Sequence, residues 1–373
     1  MSLPYETDVF IVGGGPAGLS AAIASRQKGL RATVADWSHP PIEKPCGEGL
    51  MPDAIDALRQ IGVTIGSEHS FPFRGIRFLA PGTSVSANFP SGCGLGVRRT
   101  ALHQLLADRA AEAGVQFLWN ARVAGISGEG AIVDSRRLRS RWLIGADGQN
   151  SYVRRWAGLD ASDRYKRRFG FRRHYRITPW SDCVEVYWGN GFQFYVTPVG
   201  PAEVCVVLIS RNRHLRIDCG LGEFPELRER LRRAERLGDE RGAVSVSCGF
   251  QHVVSGHVAL IGDASGSVDA VTGEGMCLAF RQAVKLAGAL AAEDLSTYAA
   301  EHRRMMRRPR FMADVMLLLD RFPGLRGRAM HALQARPAVF SALLAMRVGE
   351  RSPAALVASA FPLGWQMLTA GRV

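Results

Sequence analysis

"DVFIVGGGPAGLSAAIASRQKGLRATVAD", residues 8–36, decides the fold. Asp8–Val12 reads as a buried strand, Gly13-x-Gly15-x-x-Gly18 as a tight turn, and Pro16–Lys28 as a helix of small apolar residues. Arg31–Ala35 is then a second strand, ending at Asp36. Gly13 permits the turn, Gly15 lets backbone approach a pyrophosphate, and Gly18 packs helix against strand. Pro16 and Ala17 open the helix, whose N-terminus offers N–H groups and a positive dipole end to phosphate. Asp36 stands where a carboxylate takes a ribose hydroxyl, which argues for NAD or FAD over a 2′-phosphorylated dinucleotide.

Two later segments repeat the design of strand, acid, glycine loop and helix. "RWLIGADGQNSYVRRWAG" (141–158) carries Asp147 and Gly148 at its strand end. "GHVALIGDASGSVDAVTGEGMCLAFRQAVKLAGAL" (256–290) carries Gly262 and Asp263, then a glycine loop, then a helix from about Gly275. Open α/β sheets place ligands at such strand ends. Taken singly, Asp147 also reads as a turn former before a helix, and Asp263 as a helix cap.

These three motifs, in this order, resemble the flavoprotein superfamily of p-hydroxybenzoate hydroxylase, which also holds the geranylgeranyl reductases and flavin-dependent halogenases. The resemblance spans residues 8 to 290. It implies an α/β fold: a Rossmann-like FAD-binding domain of the GR2 type, an inserted antiparallel β-sheet substrate domain and a C-terminal helical region. The FAD domain would take residues 1–75, 95–160 and 247–298. The substrate domain would take 76–94 and 161–246, and the helical region 299–373. The resemblance also implies roles. Asp36 would hold the adenosine ribose, with Val123 of "ARVAGI" beside adenine. Arg99, or its neighbour Arg98, would begin the family's Arg-x-x-Leu helix. Asp147-Gly148 would support FAD and a visiting nicotinamide donor, and Gly262-Asp263 the ribityl chain. Gly273, Gly275 and Met276 would meet the flavin's pyrimidine edge. FAD is thus the expected cofactor and NAD(P)H the transient reductant, since no second dinucleotide fingerprint is present. An external electron donor is the alternative.

The bulk properties bound the partners. With 373 residues, 47% of them hydrophobic, the chain is long enough for several domains. The net charge of +13 is carried almost wholly by arginine, the only lysines being Lys28, Lys44, Lys166 and Lys285. Arginine-rich segments at 136–141, 166–176, 228–233 and 303–310 read as solvated helix faces or as attraction to anionic membrane. None carries a nucleic-acid reading motif, so nucleic acid is not an expected partner. The cysteines (46, 93, 183, 205, 219, 248 and 277) are scattered without a CxxC pair, which predicts no metal site and a reducing, cytoplasmic setting. No signal peptide or apolar run of about 18 residues is apparent. Any membrane contact would therefore be peripheral, at the inner face.

Residues 160 to 245 change to β-branched and aromatic runs, like antiparallel strands, with "FPELRERLRRAERL" (224–237) as an amphipathic helix. Alternation puts Gly170, Arg172, His174 and Arg176 on one face. Phe171, Arg173 and Tyr175 fall on the other, which is the better candidate for facing a core. Tyr187, Phe192, Phe194 and Tyr195 are candidates to wall a small hydrophobic or aromatic substrate, and His174 is a candidate base. Beyond Leu295 the chain reads as helices that cap the FAD domain or lie on a membrane surface.

Fold alone does not settle the reaction. NAD(P)H- and O₂-dependent hydroxylation of an aromatic or lipid-like substrate needs no obligatory catalytic side chain, and is the expectation here. Alkene reduction is the alternative: "KPCGEGL" and "TGEGM" are close to the geranylgeranyl reductases, whose Cys-Gly pair lies near the flavin. That family's Tyr-x-Trp-x-Phe-Pro stretch aligns with Gln193–Pro198, where the proline survives and Tyr195 replaces the tryptophan. A halogenase would need a tunnel lysine, and none lies between Lys44 and Lys166. A non-enzymatic flavoprotein is the remaining class. Gly-Glu-Gly occurs at 47–49, 128–130 and 273–275. The middle copy reads as a hairpin turn, and the outer two as backbone approaches to one planar ring. Cys46 beside Gly47 is then a proton donor, a gating thiol or a small residue fitted against the ring.

Overall fold

The computed structural model describes residues 6–348, and of residues 162–165 the backbone only. The reading of helices up to residue 373 therefore lies partly outside the described residues. The first sheet is built on β1 (Thr7–Val12), which pairs in parallel with β2 (Ala32–Asp36) on one side and with Arg136–Gly145 on the other. Val258–Leu260 extends the sheet beyond Arg136–Gly145, and Gln116–Trp119 extends it beyond β2. All three acid-bearing motifs thus end at the same carboxyl edge. Helix α1 (Pro16–Gln27) and the helix Gly275–Ala291 pack on this sheet through Leu19, Ala22, Ile23, Phe280, Ala283 and Leu286, all buried.

The second sheet has eight strands and is antiparallel except where Cys183–Trp188 runs parallel to Gly75–Ala80. Its centre is Ser162–Arg176 between Glu203–Ser210 and the long strand Glu235–Phe250. That last strand corrects the helix expected over 224–237. The helix spans only Pro225–Arg232. Glu235 and Arg236 already pair with Arg176 and Tyr175 in the ladder, so tertiary pairing overrides helix propensity there.

The two faces of this sheet have different fates. On one, Phe171 and Tyr175 pack with Ile217, Leu221, Phe224 and Leu227 into a closed core. On the other, Cys205, Val207 and Tyr195 meet Ala270 of the late glycine loop. The C-terminal helices Leu295–Arg321, Pro323–Ala335 and Pro337–Arg347 cover the outer part of that second face through Met316, Met330, Phe340 and Leu344.

Candidate functional site

The glycines sort into two kinds. A Cβ on Gly13 would stand 2.3 Å from the Ala146 carbonyl oxygen, and one on Gly18 1.8 Å from the Gly13 oxygen. These two are required by packing. A Cβ on Gly15, Gly47 or Gly275 would meet nothing within 4 Å, so each fronts open space. Gly15 and Gly275 sit at the starts of α1 and of Gly275–Ala291, and neither helix has a side-chain cap. Their first-turn N–H groups are therefore available to a ligand.

Asp36 closes the turn from the other side. Its Oδ2 accepts the Gly14 N–H at 2.7 Å and its Oδ1 the Ser38 N–H at 2.8 Å, leaving lone pairs for a diol. The Ala121 N–H donates to the Asp36 carbonyl, which brings the segment leading to Val123 alongside. The helix Arg99–Glu112 supplies two groups one turn apart. His103 uses both ring nitrogens, on the Gly14 oxygen at 2.8 Å and the Ile42 N–H at 3.4 Å, and burial lowers its pKa. Arg99 is buried with its Nη1 unpartnered. A buried guanidinium lacking a partner is costly unless an anion completes it. Arg98 instead pairs with Glu203 at 2.6 Å, which separates the two candidates.

Gly262 adopts φ +61° and donates its N–H to Gln282. Asp263 is exposed, yet enough protein surrounds it that burial raises its carboxyl pKa against the opposing pull of Lys44. Asp147 behaves differently. Its carboxylate takes the Ser151 hydroxyl at 2.6 Å and the Tyr152 and Val153 N–H groups at 2.7 and 3.1 Å. It holds the Gly148 turn (φ +77°), the turn-forming role it also reads as in the sequence. The open glycines, the uncapped helix starts, the unpartnered Arg99 Nη1 and the exposed Asp263 at its strand end fit FAD.

The loop 43–49 carries what glycine spacing did not announce. Glu48 is 1% exposed and adopts φ +58°, unusual for a residue with a Cβ. Its Oε1 accepts from the Arg99 N–H at 2.9 Å and from Arg172 Nη1 at 3.0 Å, and its Oε2 lies 2.7 Å from His174 Nε2. Burial opposes its charge, but His174, the Arg99 N–H and Arg172 outweigh it and hold the carboxyl below its ordinary range. The Cys46 sulfur accepts the Glu48 N–H at 3.2 Å. Burial, then the Glu48 charge, push the Cys46 thiol up, and the same causes push Cys205 well up. Arg172 also binds Glu43. His174 is thus brought to the site, with Glu48, Arg172 and Cys205 as unforeseen companions.

The loop that carries Gly273 and Gly275 is braced from three directions. Asp269 accepts the Val271 N–H at 3.1 Å and pairs with Arg168 at 3.3 Å, the Tyr195 hydroxyl donates to the Val271 oxygen at 2.6 Å, and Arg347 bonds the Thr272 oxygen. Arg168 continues to the buried Asp320 at 3.1 Å. Met276 is half-buried against the first-sheet core. Tyr187, Phe192 and Phe194 are not beside Tyr195. They lie in the closed core on the other face, because strand alternation sends 192 and 194 away from 195. As pocket walls, those three are corrected.

Known proteins supply the frame for this geometry. Residues 6–175 match the model described as an FAD binding domain. A digeranylgeranylglycerophospholipid reductase of Methanosarcina acetivorans is 30% identical over 319 residues, covering 78% of this chain and 76% of that one. The chain belongs to the FAD-dependent oxidoreductase superfamily of p-hydroxybenzoate hydroxylase and the geranylgeranyl reductases. A menaquinone reductase of Mycobacterium tuberculosis is 28% identical over 307 residues, 74% of each chain. The solved structure of a flavin-dependent brominase superposes with a TM-score of 0.79 at 21% identity, covering 95% of this flavoprotein and 98% of that chain. At that identity the superposition fixes fold and not chemistry.

Proposed function

We propose that this FAD-dependent oxidoreductase is an alkene reductase acting on an isoprenoid lipid. The observation that carries the reading is the buried Glu48–His174 pair, 2.7 Å apart, behind Cys46 at the open Gly47. Bound and reduced FAD would supply the hydride. Saturating a double bond also needs a proton at the neighbouring carbon, whereas hydroxylation needs no such donor. Cys46 is suited to that task, because burial and the Glu48 charge keep its thiol protonated. Glu48, held ionised by His174 and Arg172, keeps that thiol from losing its proton before the hydride arrives. Relatives named for reduction of a digeranylgeranyl lipid support the same choice over hydroxylation.

The test is product mass. The purified flavoprotein, reduced with NAD(P)H or dithionite under argon and mixed with a geranylgeranyl lipid, is expected to yield product two hydrogens heavier per double bond, with re-oxidation of the flavin band. Product one oxygen heavier, formed only in air, would overturn the reading in favour of a monooxygenase.

A further inference from the structure

The helix Leu295–Arg321 has an inner face that is accounted for and an outer face that is not. Inward, Met305, Met306, Ala313, Met316 and Asp320 are buried, and Asp320 reaches Arg168, Arg211 and Gln193. Outward, Phe311 is 60% exposed, Val315 36%, Leu318 48% and the adjoining Phe322 47%. At 3.6 residues per turn these four fall in one sector of about 60°, an apolar stripe roughly 16 Å long. Arg303, Arg307 and Arg321 are also exposed and fall in the adjoining sector, while Arg310 of that sector lays its guanidinium against Gly249. Among the described residues none of these four arginines has an ion-pair partner. The acids nearby are engaged, Asp314 by Lys166 at 3.6 Å and Glu301 by Lys285 and Arg304.

We propose that this face docks on an anionic lipid bilayer, with the stripe in the acyl boundary and the arginine row on the headgroups. An apolar sector beside a cationic one is the arrangement an interfacial helix requires. Charge complementarity selects this occupant. A second copy would set arginine rows against each other, and residues 349–373 bring only one acid, Glu350, to meet them. The net charge of +13 acts in the same direction. No described helix is long and apolar enough to cross a membrane, so the contact is one of surface only. Because the inner face of the same helix abuts the substrate sheet, docking would bring the substrate domain within one helix thickness of the lipid. The surface stands on its own observations and does not depend on the reaction proposed above.

The full-length flavoprotein is sedimented with vesicles of phosphatidylcholine alone and of phosphatidylcholine mixed with phosphatidylglycerol. Partitioning onto the anionic vesicles is expected, weakening as salt screens the arginines. Arg303→Gln and Arg307→Gln are each expected to lower it about fivefold, and Phe311→Asp with Leu318→Asp at least about tenfold. These exposed variants should keep FAD and melt like the parent. Failure of the parent to sediment, or Phe311→Asp/Leu318→Asp binding as well as the parent, would overturn the proposal. So would a parent dimer in ultracentrifugation that the same variant dissolves. Vesicle binding without isoprenoid reduction would sink the proposed reaction and leave the surface standing. Reduction in detergent without vesicle binding would do the reverse.

Discussion

The loops 47–49 and 273–275 carry the same tripeptide, and the structure treats their glutamates in opposite ways. Glu48 has three partners from distant segments and is held charged. Glu274 is buried with Oε2 unpartnered, and burial raises its carboxyl pKa against the pull of Arg347, 3.9 Å away. The third copy makes the contrast sharper. Glu129 is an exposed residue in the hairpin joining Val123–Ser127 to Gly130–Val133, with Arg139 at 3.4 Å. Identical local sequence therefore gives a buried carboxylate held by three partners, a buried cap-position acid and a surface ion pair. What differs is which strands lie across from each copy.

The most direct way to break this comparison is Glu48→Gln against Glu274→Gln. We expect turnover to fall about 10³-fold for the first, with FAD retained, and within about threefold of the parent for the second. Equal losses would show that both loops serve only as scaffold. Next in size, Cys46→Ala should lower turnover about 10²-fold at unchanged flavin absorbance. Near-parental turnover would reduce Cys46 to packing.

Gly275→Val should cost about tenfold in FAD retention while the apo-protein melts as before, because the added side chain enters open space and removes only the ligand's approach. Gly18→Val should instead destroy the fold, since its Cβ would stand 1.8 Å from the Gly13 oxygen.

The smallest effect is in pH dependence. Glu48 has a folded pKa below the ordinary 4.5, so its stabilisation is present above that pH and is lost as pH falls below it. Glu274 has a folded pKa above 4.5, so its charged form costs stability at neutral pH and that cost disappears on acidification. Melting curves should show the parent's advantage over Glu48→Gln shrinking as pH falls, and any advantage of Glu274→Gln over the parent shrinking likewise. Parallel curves for parent and both variants would contradict these assignments.

Much of the site was legible because its marks are mostly backbone ones. Gly13, Gly15, Gly18, Asp36, Gly262 and Gly275 serve by φ angle, missing Cβ or position at a strand end, and each leaves a trace within about thirty residues of chain. Tyr187, Phe192 and Phe194 could not be placed that way. A strand with both faces covered offers apolar residues on either side, and only the packing of Ile217–Leu231 on one of them says which is core. Asp147 was found with two readings open, and only its bonds from Ser151, Tyr152 and Val153 show it bracing the Gly148 turn.

The sequence by itself determined the dinucleotide fold and the order of its three strand-end motifs, because those depend on short-range geometry, and the family resemblance those motifs carry implied FAD. Only the tertiary structure decided that Glu48, central to a tripeptide found three times, would be chosen by Arg172 and His174. That choice is made by a strand more than 120 residues away. A carboxylate's chemistry is set by the charges and donors within a few ångströms, and these come from wherever the chain folds back.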